Sequence, residues 1–312
     1  MEALSSLLPT AWQKRPQVRF NVFTDLTPAG RQWRVPTPEK PILYSGGPAR
    51  LVQMGWQVTA GEKPPPAAEL EATMRKALAA NGFVSTADPN QRPDILIVFT
   101  YGSHGTDPAS LASDDESASL PTNADELVAF VIRDPSLATD VIDRARFMAG
   151  DQFALDLKAA LEGEVSNRRF NQTLGRMPAG TSPMTLPVSP EGGSPFDLFM
   201  RGGRSETAEH FAEVAFHTCY FVTATAYDFS GVERHQKIAL WQTRMTVEAQ
   251  GVAMSEVLKP LILNTGSYLG RETPEAVVVN KRLDREGRVE IGTPTVVEEA
   301  PPDAVAKKPG GR

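Results

Sequence analysis

The sequence predicts an α+β protein: a mixed or antiparallel sheet packed against helices, with a long helical and loop insertion between core strands. Three stretches carry that prediction. Residues Phe216 to Gly270 read strand, turn, strand, helix. AAELEATMRKALAANGF, fed by the triple proline Pro64 to Pro66, is the clearest helix. DILIVFTY begins at Asp94, and its unbroken apolar run Ile95 to Phe99 marks a strand covered on both faces.

In chain order, VRFNVFTDL (Val18 to Leu26) alternates as a strand, and Pro41 to Tyr44 offers a short one. In the first helix Leu70, Met74, Ala77 and Leu78 form the buried stripe, and Glu71 and Arg75 are spaced to pair. Asn81-Gly82 supplies a left-handed C-cap, with Phe83 folding back onto the last turn. Ile95 and Ile97 belong to the core. Gly102 to Asp125 reads as a mobile loop, and LVAFVIRD as a further strand. From Thr139 to Val165, the residues Ile142, Ala145, Ala149, Phe153, Leu157 and Leu161 trace one long helix with Gly150 as its weak point. Met177 to Gly203 is loop again.

The Phe216–Gly270 stretch then supplies the centre. Val222, Ala224 and Ala226 share one strand face, with Thr223, Thr225 and Tyr227 on the other. Trp241 and Met245 are the core anchors of the next strand, and FSGVERHQK joins the two as an antiparallel hairpin. Met254, Val257, Leu258, Leu261, Ile262, Thr265 and Leu269 recur at helical spacing, with Pro260 inside the pattern as a kink or a boundary. AVVVNKRLDREGRVEIG predicts a small hairpin around Arg285-Glu286-Gly287. Residues 1–296 thus read as a single α+β domain in which about 103–215 is an insertion, and 297–312 as a disordered tail too poor in apolar side chains to order itself.

A chain of 312 residues with 41% hydrophobic content can build one large core or two modest ones. Its net charge of −6 disfavours nucleic acid or an anionic membrane as main partner, and no run reaches membrane-spanning length. The single cysteine, Cys219, excludes an intramolecular disulfide. MEALSSLLPTAWQKRP lacks a positive leading region and a long apolar run, so the default expectation is cytoplasmic.

PDILIVFTYG, YFVTATAYDF and IALWQTRM together resemble small bacterial envelope proteins, often lipoproteins. Their domain pairs a Pro-Asp-apolar strand with a later Leu-Trp-Arg-like strand and a C-terminal helix. The resemblance spans the N-terminal third and residues 216–271, and implies an exported, periplasmic or envelope location. It carries no catalytic residues over. This chain departs from the pattern in showing neither a signal peptide nor a lipid-bearing cysteine at its start.

Several chemistries can be weighed. Gly102-Ser103-His104-Gly105 resembles the strand-end Ser-His-Gly of caspase-like cysteine peptidases, which would pair His104 with Cys219. Parallel strands would hold the two at opposite ends of the sheet, and an antiparallel arrangement could bring them together. The bland alternative for His104 is an exposed turn. His210, His217 and Cys219 have residue types that ligate metal, yet one His-x-Cys pair without a second is a poor signal, and a buried cysteine is more often a small hydrophobe. Asp114 to Glu116 reads as a solvated acidic run, His235 as a turn residue, and Asp228 with Arg244 as a cross-strand ion pair. The glycine pairs at Gly46 and Gly202 lack the strand-before, helix-after setting of a phosphate loop. The expectation is therefore a non-enzymatic binding or assembly component of the cell envelope, with no cofactor, and with an unknown protein or a second copy as partner. The alternatives are a hydrolase using His104 and Cys219, and a cytoplasmic protein whose insertion docks a partner chain.

Overall fold

The computed structural model describes residues 15–37, 39–55, 63–86, 91–105, 135–175 and 217–285, with positions 9, 13, 210, 211, 214 and 215. Its elements follow in chain order. The first are β1 (Gln17–Leu26), α1 (Pro28–Arg31), β2 (Ile42–Gly46), β3 (Arg50–Gly55), α2 (Ala67–Ala80), β4 (Phe83–Ser85) and β5 (Ile95–Gly105). After the two insertion helices α3 (Pro135–Ala149) and α4 (Asp151–Gly175) come β6 (Cys219–Asp228), α5 (Phe229–Glu233) and β7 (Ala239–Glu248). The last are α6 (Met254–Thr265), a 3-10 turn (Gly266–Tyr268) and β8 (Val277–Arg282). The fold is α+β.

The sheet has eight strands in the order β4-β2-β5-β6-β7-β1-β8, with β3 lying beside the second half of β5. Pairings of β2 and β3 with β5, and of β4 with β2, are parallel; β5–β6, β6–β7, β7–β1 and β1–β8 are antiparallel. Period-two alternation splits the sheet into two buried faces. On one, Phe20, Ile95, Ile97, Val222, Ala224, Trp241 and Met245 meet Leu70 and Met74 of α2 and Leu258 and Leu261 of α6. Ala224 and Ala226 keep that face low where the helices cross it. Trp241 is 6% exposed and its ring tilts against that of Phe83 at 5.7 Å.

The opposite face carries Cys219 and Phe221, under a second core formed by Val141, Ala145 and Met148 of α3, Leu157 of α4, and Phe211. The described helices α3 and α4 therefore form a third layer, which covers that face of the central strands.

The structure corrects several local expectations. The helix read as continuous from Thr139 to Val165 is two helices, broken at Gly150, where φ is +90° and an added Cβ would sit 2.6 Å from the Phe23 ring. Gly102 to Gly105 is not a loop but the end of β5; a side chain at Gly102 would collide with the Val52 carbonyl of β3, which an added Cβ would meet at 1.6 Å. Glu71 accepts a bond from the Ala49 backbone N–H (2.8 Å) instead of pairing along its helix with Arg75. Asp228 does not pair with Arg244. It caps α5 by accepting from the backbone of Ser230 and Gly231, while Arg244 reaches the Arg146 carbonyl in the last turn of α3. The α6 helix runs through Pro260 and stops at Thr265, so Leu269 packs from beyond the 3-10 turn. The LVAFVIRD stretch, the loop after Gly105, the second arm of the hairpin expected after β8 and the tail lie outside the described residues.

Candidate functional site

Strand register gathers the titratable side chains into one row. In the antiparallel pairing of β5 with β6, His104 lies directly opposite Cys219; in that of β6 with β7, Cys219 lies opposite Glu248. Phe20 of β1 pairs with Val247, which puts Arg19 beside Glu248 at the end of the row. Of the two arrangements open to the sequence, the antiparallel one is realised. Antiparallel pairing makes His104 and Cys219 cross-strand neighbours.

Neighbourhood does not make them a dyad. Cys219 is fully buried, and burial pushes its thiol up to about 12 despite the Arg144 guanidinium and a hydrogen bond from the His104 backbone, both of which favour the thiolate. The His104 imidazole packs edge-on against Phe147 at 5.9 Å, and its Nδ1 has no hydrogen-bond partner. Burial, and then the charge of Arg144, hold this imidazole down to about 4. At neutral pH the pair is thiol and neutral imidazole, the reverse of the thiolate–imidazolium state that nucleophilic catalysis needs.

Arg144 stands over this pair. It is 1% exposed, and its Nε donates to the Ala215 carbonyl at 2.6 Å while Nη1 donates to the Gly105 carbonyl at 3.1 Å. Its Nη2 has no partner, no carboxylate pairs with it among the described residues, and burial lowers its pKa. The side chain therefore staples the point where the chain leaves β5 to the segment that leads into β6. This was readable in part. Arg144 falls on the same α3 stripe as Val141, Ala145 and Met148, and a cation in an apolar stripe is an anomaly that spacing alone can flag.

At the other end of the row, Arg19 can only donate, so its 3.3 Å contact fixes His210 Nδ1 as an acceptor. The proton then sits on Nε2, which donates to Asn21 Oδ1 at 3.0 Å. Burial, and then Arg19, hold His210 down to about 4. Asn21 Nδ2 stays buried without a partner. His217 Nδ1 lies 2.7 Å from Glu248 Oε1, with the ring turned off the line of a hydrogen bond. His210, His217 and Cys219 thus face different partners. Among the described residues no group of three or more His, Cys, Asp or Glu side chains is placed to hold a metal. His235 takes φ +60° in the turn after α5, and Asp114 to Glu116 lie outside the described residues.

Beside Arg19 the surface opens into a pocket of about 350 Å³. Gln17, Arg19, His210, Glu248 and Gln250 supply its polar lining, and it also borders Val18, Val214 and Val247. No family model matches the chain, and no curated protein matches it either. The pocket was not legible in the sequence, because Gln17, Arg19, Glu248 and Gln250 come together only through the pairing of β1 with β7. Among the described residues no helix is long and apolar enough to cross a membrane.

Proposed function

We propose that the protein is a non-enzymatic binding component whose ligand occupies the pocket walled by Arg19, His210 and Glu248. One contrast carries this reading. In the reactive-looking pair, Cys219 is fully buried and His104 half-buried, and burial favours the neutral thiol and imidazole, whereas the polar pocket one strand away opens to solvent. The likeness of the strands around Asp94 and Trp241 to bacterial envelope proteins supports a place in the cell envelope, where a binding or assembly role needs no chemistry.

A second reading, a cysteine hydrolase, draws support from the direct cross-strand pairing of His104 with Cys219. Iodoacetamide separates the two. Labelling of Cys219 should be slow in the native protein, fast after denaturation and indifferent to His104→Ala. Fast native labelling that disappears in His104→Ala would sink the binding reading and install the hydrolase.

A further inference from the structure

We infer that the pocket between β1 and β7 takes a small zwitterion, a ligand bearing a carboxylate and an ammonium on neighbouring carbons as in a free α-amino acid; this rests on the binding reading above. The inference starts from two opposite charges on the pocket wall that do not neutralise each other. Arg19 and Glu248 lie on adjacent strands and line the same pocket, yet no ion pair closes between them. The described contact of Arg19 is with the neutral His210 Nδ1, which uses one of the five guanidinium N–H groups and leaves a fork for a carboxylate. Glu248 meets His217 through Oε1, and no contact among the described residues engages its second oxygen, which leaves it able to accept from an ammonium.

Other ligand classes fit worse. A phosphate or other simple anion would meet the Glu248 carboxylate, and a simple cation would meet Arg19. A neutral sugar would desolvate both charges and pair neither. A zwitterion pairs both at once. The amides of Gln17 and Gln250 add donors and acceptors at the rim, while Val214 gives one apolar contact on the side of the sheet that Arg19 and Glu248 share. The volume of about 350 Å³ sits at the small end of ligand pockets, which run from roughly 300 to 1,000 Å³.

Isothermal titration calorimetry at pH 7.5 tests the inference, with glycine, L-serine and L-glutamine as probes and acetate and methylammonium as single-charge controls. At least one amino acid should bind ten-fold or more tighter than either control. Arg19→Gln and Glu248→Gln should each weaken it ten-fold or more, with unchanged circular dichroism. Gln250→Lys, a rim change that repels the ammonium, should weaken it several-fold and serves if Glu248→Gln does not fold. Acetate binding as tightly as the amino acids, and still lost in Arg19→Gln, would overturn the zwitterion while leaving a binding pocket. Binding indifferent to the substitutions, or no heat from any amino acid at 10 mM, would overturn the assignment; the iodoacetamide result decides separately whether the binding reading stands.

Discussion

Acid should loosen this protein well above the pH at which carboxylates titrate. His104 and His210 are both held near 4 in the folded chain, by burial first and then by Arg144 and Arg19 respectively; Asp143 acts in the opposite sense on His104, as does Glu248 on His210, where His217 adds to the lowering. An unfolded histidine titrates at about 6.5, so between that pH and 4 the unfolded chain binds protons that the folded chain refuses. Stability is therefore intact above about 6.5 and is lost as the pH falls toward 4. At pH 5 each histidine withdraws roughly 2 kcal/mol, somewhat less for the partly exposed His104, so the pair removes about 3–4 kcal/mol. Glu272, whose carboxyl Arg31 holds below its usual range, loses its contribution only at lower pH and does not enter this window. Urea unfolding at pH 7.5 and pH 5.0, followed by circular dichroism, measures the difference. His104→Gln with His210→Gln removes both titrations, and glutamine keeps a donor for Asn21 and an acceptor for Arg19 at position 210. The double variant should lose less than half of what the parent loses. A parent that loses under 1 kcal/mol between the two pH values, or a double variant with the same loss, would refute the burial and tautomer assigned to these rings.

Two further outcomes test the packing. Trp241→Ala should cost about 3–5 kcal/mol, because the ring is almost wholly buried against Phe83 between the sheet and its helices; a loss below 1 kcal/mol in urea unfolding would contradict its place in the core. Gly150→Ala should cost about 1–3 kcal/mol, since alanine adds a strained positive φ and a contact with the Phe23 ring that exceed its gain in helix propensity. A stabilised Gly150→Ala would mean that α3 and α4 form one continuous helix in solution.

The layered α+β fold was legible where local pattern and burial coincide. Alternation in YFVTATAYDF and ALWQTRM marks the strand faces that meet α2 and α6, and the apolar run from Ile95 marks a strand with neighbours on both sides. Local pattern misled where a single residue obeys a distant contact. The stripe from Ile142 to Leu161 is regular enough for one helix, and only the Phe23 ring lodged against Gly150 accounts for the break. Glu71 and Arg75 have ideal spacing, but the Ala49 N–H competes for the carboxylate. Glycine at 102 and 105 suggested a turn, whereas Gly102 lets β3 approach where a side chain would strike the Val52 carbonyl.

The chemistry was less legible for a different reason. A reactive pair is defined by what stands opposite each residue and by how much water reaches it, and neither is a local property. The sequence offered His104 and Cys219 as a question of strand direction. Antiparallel pairing of β5 and β6 answers it in favour of contact, and burial then raises the thiol's pKa where a nucleophile needs it lowered. The same register logic works in reverse at Arg19 and Glu248. Neither residue stands out in a surface-exposed pattern of alternating strands, yet pairing of β1 with β7 sets opposite charges on one pocket wall. His210 sharpens the distinction. Arg19 dictates its tautomer and burial keeps it neutral, so it contributes a fixed acceptor to Arg19 and no charge to compete with a bound carboxylate. Among the described residues this wall sets one guanidinium, with a neutral ring beside it, near one carboxylate, an arrangement suited to a ligand of zero net charge with both signs exposed, and it follows from strand register rather than from any motif.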